Sequence, residues 1–312
     1  MALKSRVLDA SIWGEETTAG TEAGNYNLNI LGHIVTCTLS TQETKEVIGG
    51  IRGGSVGHLP TRITPLTVRP VGQVTFHPID FKWMKYVISD YAEAVGKYTL
   101  NNETIAMPKS LSVKGSYDGT KGVRHLGVYL NNIRFGITSE GILTISADLI
   151  GLFADTFTGA VSYTAPTTDP LTYVGSSFTV DNNEWDLQSL NLTFNPRFIQ
   201  KFSISSKTAT KLRFPTDIIR GGKIIVNFDG VCNVQDLDDE LNIAYGGSVS
   251  PADFPTNNEI ILKFVNSDDD EHTLTSSVQF LNIDVNQTDA EEDAKTISFT
   301  GVGIQLQAEG DL

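Results

Sequence analysis

The stretch Gly53-Gly54-Ser55-Val56-Gly57 has the G-x-S-x-G spacing of a nucleophile elbow, and His58 follows it directly. Such a serine attacks an acyl carbonyl only if a strand leads into it and a helix leads out, holding the hydroxyl clear of the backbone. Here glycines precede the serine and Pro60 follows closely, with no acid placed to orient His58. The letters match a hydrolase, but the surroundings read as a flexible loop. The neighbouring Gly49-Gly50-Ile51-Arg52-Gly53-Gly54 lacks the G-x-G-x-x-G order, and no G-K-[S/T] follows, so it is not a phosphate cradle. Histidines 33, 58, 77, 125 and 272 are scattered, outside any zinc-like cluster with Cys37 or Cys232. The run Asp268-Asp269-Asp270-Glu271 is acidic enough to attract calcium. It lacks the alternating ligands and central glycine of an EF-hand loop, and reads as the tip of a hairpin. Trp83 and Trp185 could offer a sugar platform, yet at their spacing they read as core. No cofactor, metal or catalytic constellation is indicated.

The elements that would position any site are mostly strands. Leu143, Ile145, Ala147 and Leu149 alternate with Thr144, Ser146 and Asp148, the period of a half-buried strand. Val128 to Ile137 forms a longer strand whose apolar register changes at Asn131-Asn132, where a bulge would shift it. Val278, Phe280, Ile283 and Val285 show the same change near Asn282. Two helices are also expected. One runs from Phe81 through Met84, Ile88 and Tyr91 to Val95, with Asp80 as N-cap and Gly96 as terminator. The other runs from Val234 to Tyr245 between Asn233 and Gly246, with an acidic outer face. The glycine-rich stretch Lys45 to Arg62 reads as a loop that orders on contact with something else. Thr156 to Ser177, rich in Thr, Ser, Gly and Pro, reads as a linker.

With 312 residues, 40% hydrophobic and 19% charged, the chain can bury two cores of ordinary size. The formal net charge is −14, from 37 acidic and 23 basic residues. Such a surface cannot grip nucleic acid by releasing counterions, although phosphate could slide past it. No apolar run is long enough for a membrane helix, and the first residues lack the pattern of a signal peptide. The two cysteines fall in different halves and read as buried, reduced thiols.

Those elements occur twice. Gly72-Gln-Val-Thr-Phe, a helix-like stretch, Ser110 to Val113, Leu130-Asn-Asn-Ile133 and Leu143 to Ala147 come first. Gly222-Lys-Ile-Ile-Val-Asn-Phe, a second helix-like stretch, Glu259 to Leu262, Leu281-Asn-Ile283 and Lys295 to Phe299 follow in the same order. An offset of roughly 150 residues is too long for a solenoid and points to two copies of one domain. We place them at residues 1–165 and 166–312, the second beginning with the linker.

On these residues the chain resembles the tail tube proteins of long-tailed (siphovirus-like) bacterial and archaeal viruses. The resemblance lies in Thr167-Thr-Asp-Pro-Leu171, Phe178-Thr-Val-Asp181, Trp185-Asp-Leu187 and Ser189 to Asn195. It lies also in Pro108 to Val113, Leu126 to Ile133 and Gly141 to Gly151. It implies a mainly β fold with a few short helices: two tandem β-sandwich or barrel domains, each flanked by one α-helix. It implies assembly with itself into rings that stack as the tail tube, contacts with the tape measure, terminator and baseplate proteins, and viral DNA passing through the lumen without specific binding. Two domains per chain would make a six-domain ring from three chains. The glycine-rich loop, with Gly49, Gly50, Arg52, Gly53, Gly54 and Arg62, would join subunits. The alternatives are a two-domain β-sandwich binding protein (virion decoration, adhesion or receptor binding) and a hydrolase built on Ser55.

Overall fold

The computed structural model describes residues 10–26, 29–49, 60–101, 105–116, 120–138, 141–203, 213–222, 224–233, 257–287 and 295–311. The first half supplies β1 (Ala10–Glu15), β2 (His33–Gly49), β3 (Pro60–His77), β4 (Asp90–Ala94), β5 (Lys97–Asn101), β6 (Leu111–Ser116), β7 (Lys121–Thr138), β8 (Thr144–Ile150) and β9 (Phe153–Thr158). The second supplies β10 (Ser177–Val180), β11 (Asn183–Glu184), β12 (Asp186–Asn195), β13 (Phe198–Lys201), β14 (Asp217–Arg220), β15 (Ile225–Asn233), β16 (Asn258–Val265), β17 (Glu271–Gln287) and β18 (Lys295–Asp311). All pair antiparallel. Sixteen belong to one branched sheet, and β13 and β14 form a separate hairpin.

Strand order is the same in both halves. The first reads β1-β6-β7-β8-β3-β2. The second reads β10-β16-β17-β18-β15-β12. The period-two patterns produce these strands as expected. In β8 burial alternates along the strand, with Ile145, Ala147 and Leu149 inside. The predicted bulges are present: the register between β7 and β8 shifts between Asn131 and Arg134, and that between β17 and β18 shifts between Phe280 and Asn282. Asn132 takes the left-handed conformation, φ 47°, and its amide donates to Asp148 at 2.9 Å. Asparagine tolerates that region better than most side chains.

One buried cluster runs through both halves, from Trp13 and Leu39 to Phe299 and Ala308. Phe81 and Phe135 of the first half meet Phe264 of the second at 5.8 and 6.3 Å between ring centroids. Trp83 and Trp185 lie in this core, as their spacing suggested.

Two expectations are corrected. The helix predicted from Phe81 to Val95 is a single 3₁₀ turn, Lys82–Tyr86, the only helical segment among the described residues. Asp80 is not its N-cap: that position is Phe81, which makes no side-chain cap bond, and the Asp80 carboxylate one residue earlier accepts from the Lys82 N–H at 2.8 Å. The chain then leaves as the hairpin β4–β5, turning at Val95 and Gly96, both with positive φ. The reason is tertiary: β5 lays its outer edge on β18, Gln307 to Asp311, and those ladder bonds outweigh a local helical preference. The predicted linker is not a free tether either. Phe153–Thr158 is a strand, and Leu171 is wholly buried, bonded through its backbone to Leu143 and Pro78. The second predicted helix, from Val234, lies outside the described residues.

Candidate assembly interface

The first half ends and the second begins along one seam. There β12 pairs with β7, running Ser189↔Thr138, Leu190↔Ile137, Asn191↔Gly136, Leu192↔Phe135, Thr193↔Arg134 and Phe194↔Ile133. Leu190, Leu192 and Phe194 alternate inward, as do Ile133, Phe135 and Ile137, and all six are buried. The strands thus meet through backbone bonds at their edges and through apolar side chains on one face, the two terms that fix strand register.

The seam occupies a defined place on β7. Residues Gly122 to Val128 of β7 carry β6 on one edge, and Ile133 to Thr138 carry β12 further along that edge. The opposite edge carries β9 and then β8. Strand β17 is built alike: β16 covers Glu271 to Val278, and β18 runs along the other edge. Among the described residues no strand pairs with the β16 side of β17 beyond Val278. Likewise, β3 is the only strand paired with β2 among the described residues.

Register makes the correspondence residue by residue. Leu130↔Leu149 and Phe135↔Ile145 in β7 and β8 match Phe280↔Gly301 and Val285↔Ile297 in β17 and β18. Phe76↔Ile145 matches Cys232↔Ile297. Even an irregularity recurs: the β2 register slips between Ile34 and Thr36, and that of β12 between Leu187 and Ser189. One alignment read from the sequence is corrected. Gly72 pairs with Leu149, so its counterpart is Phe228, paired with Gly301, and not Gly222. Glycine letters misled there because Gly222 precedes the strand.

Of the proposed joining loop, Gly49 and Arg62 are strand residues at the far end of the β2–β3 hairpin, Gly49 paired with Pro60 and Arg62 with Ile48. The segment Lys45–Gly49 is therefore strand, not loop, because Pro60 to Pro65 lies opposite to complete its ladder. Gly50, Arg52, Gly53 and Gly54 lie outside the described residues, as do Ser55 and His58. Strand β8 reaches along β3 only to Val71, so the hairpin runs on past it for about ten residues per strand, roughly 30 Å.

The acidic run is the turn between β16 and β17. Asn266 Oδ1 accepts from the Asp268 and Asp270 N–H groups at 2.9 and 3.0 Å, and Asp269 adopts φ 65°. Among the described residues no group of three His, Cys, Asp or Glu is placed to hold a metal ion. A cavity of about 290 Å³ borders the seam, lined by Ile137, Phe178, Glu184, Trp185, Leu262 and Phe264 among others. Its lining holds carboxylates but no histidine, lysine or cysteine that could share a proton or act as nucleophile with them.

Two histidines bear on pH. His125 is fully buried, neither ring nitrogen has a hydrogen-bond partner, and desolvation pulls its pKa down to about 3. His272, buried beside Tyr98 with 3.2 Å between Nδ1 and the hydroxyl, is pulled down to about 4, again chiefly by burial. Both are neutral in the folded chain. The unfolded chain binds protons near pH 6.5, so stability falls as pH drops from about 6.5, each histidine contributing about 1.4 kcal/mol per pH unit at its steepest. Urea unfolding at pH 7.5 and pH 5 should show a loss of about 2 kcal/mol or more at the lower pH. In His125→Leu that loss should shrink by about half. An equal loss in wild type and variant would rule this out.

A comparison with protein-family models and with curated proteins finds no match to the chain. No helix among the described residues is long and apolar enough to cross a membrane.

Proposed function

We propose that this chain is a structural protein that assembles with itself, its copies joining head to tail through sheet edges into rings that stack as the tail tube of a long-tailed virus. One observation carries the reading. Two halves of identical strand order already join edge to edge within the chain at β7 and β12. A contact that joins one surface to a different surface of the next copy is heterologous, and it closes into a ring when its rotation divides a full turn. In this reading each half is a tube domain, three chains complete a ring, and the long β2–β3 hairpin reaches between rings. The net charge of −14 suits a conduit that lets DNA slide without holding it. Tape measure, terminator and baseplate proteins are the partners expected at the ends of such a tube.

Negative-stain electron microscopy of the purified protein should show hollow filaments of stacked rings, with three chains and pseudo-sixfold symmetry in each ring. Monodisperse particles at every concentration would overturn the reading in favour of a two-domain binding protein.

A further inference from the structure

We infer that the cavity beside the seam is a receptor for a tyrosine side chain carried on an extended segment of another polypeptide. The site belongs to the single chain and stands whether or not copies of the chain assemble.

Each half has a pocket at the same place in its strand series. In the first half the pocket lies between Ala10 and Ser11 of β1 and Ile34 to Cys37 of β2. In the second it lies between Ser177 and Phe178 of β10 and Asp186 to Gln188 of β12. Register makes these walls equivalent. Leu130 and Phe280 are counterparts, so Val128 matches Val278, and their partners Leu111 and Asn258 match in turn. Four residues on, Gly115 carries Ser11 and Leu262 carries Phe178. On the other wall the register slips at the same step, between Ile34 and Thr36 in β2 and between Leu187 and Ser189 in β12. Ile34 and Leu187 are therefore counterparts.

The halves differ in what reaches this place. In the first, the strap that follows β9 brings Tyr163. Its hydroxyl donates to the Gly32 carbonyl at 3.3 Å and accepts from the Ile34 N–H at 3.2 Å, at the slip itself, and the pocket beside it measures only about 60 Å³. In the second, no side chain among the described residues bonds to Leu187 in this way, and the cavity measures about 290 Å³. An apolar cavity of about 150 Å³ holds a benzene molecule. The larger one admits a phenol ring and the start of the chain that bears it.

The walls suit that occupant. Phe178, Trp185, Leu262 and Phe264 are buried and form the apolar side, where an aromatic ring packs edge-to-face or offset. Glu184 and Asp186 are exposed at the rim, and no lysine or arginine lines the cavity. A segment with a basic residue beside its tyrosine therefore fits better than a neutral one, and a free phenol leaves the rim without a partner.

The test is calorimetric titration of the full chain. The probes are p-cresol and the peptide Gly-Ala-Val-Ser-Tyr-Thr, copied from residues 159–164. The peptide should bind one site per chain and shift the emission of Trp185. Phenylalanine in place of its tyrosine should weaken binding about two- to tenfold, the worth of a neutral hydrogen bond. Lysine in place of its threonine should strengthen binding about two- to fivefold at low salt, the worth of an exposed ion pair. Ser176→Phe, which puts a ring in the cavity, should abolish binding, and Tyr163→Ala should raise the stoichiometry from one site to two by opening the equivalent pocket. Binding of p-cresol without the peptide would overturn the polypeptide occupant. No binding of either probe, no response of Trp185, or a stoichiometry that stays at one in Tyr163→Ala would overturn the site.

Discussion

Glu16→Ala should lower the unfolding free energy by about 3–5 kcal/mol, the largest effect expected from a single polar substitution among the described residues. Glu16 is only 3% exposed. Its carboxylate accepts hydrogen bonds from the Ser110 and Ser112 hydroxyls, each at 2.7 Å, from the Gly127 N–H at 2.9 Å and from the Gly20 N–H at 2.8 Å. Those donors come from the start of β6, from β7 and from the loop after β1. One side chain therefore ties together three segments far apart in sequence. Gly127 sits at φ +63°, where a side chain would also strike Leu152, so the backbone there depends on the bond it donates. Alanine would leave three buried donors, and the part-buried Gly20 N–H, without an acceptor, each buried one costing about 1–3 kcal/mol before relaxation. Glu16→Gln keeps one acceptor oxygen and should fall between. Urea titration followed by the buried Trp13 measures all three; an alanine variant within about 1 kcal/mol of wild type would show that water replaces the carboxylate.

Leu192→Ala should cost about 2–5 kcal/mol, and both halves of the molecule should unfold together at the lower midpoint. Leu192 is wholly buried at the seam, paired with Phe135 on β7 and with Phe228 on β15. Removing its isobutyl group opens a cavity between two strands that the halves share, and β-sheet neighbours cannot close it without breaking ladder bonds. A matched change at an exposed position, Val35→Ala, should stay within about 0.5 kcal/mol of wild type. Variants with a single tryptophan separate the halves: Trp13 reports the first and Trp185 the second. Coincident transitions are expected in both backgrounds. A Trp185 transition that moves alone would show that the seam does not couple the halves.

Much of the strand pattern was legible because it is local. Alternation such as Leu143, Ile145, Ala147, Leu149 needs only that one face be dry, and the Asn-marked bulges need only a residue that tolerates positive φ. The hairpin tip at Asp268 to Asp270 was legible for the same reason. Three features were not. The β4–β5 hairpin turns at Val95, a β-branched residue at φ 49°, which no local preference nominates. Its apolar spacing fits a helical stripe equally well, and only the waiting edge of β18 decides against the helix. Glu16 sits among Thr, Gly and Glu residues that read as solvated loop, and nothing nearby in sequence reveals four donors converging on it. The hairpin formed by Lys45–Gly49 and Pro60–Arg62 was hidden by its glycines and prolines, which weaken any strand signal.

The sequence by itself determined that the chain is mainly β and that its elements come twice in one order. Those properties depend on side-chain period and composition, which are carried by neighbouring residues. Only the tertiary structure decided that the two halves share one core, that β12 rests on β7, and which strands remain at the ends of the series. Strand pairing is a contact between residues far apart in the chain, and its register follows from which faces and edges meet in space.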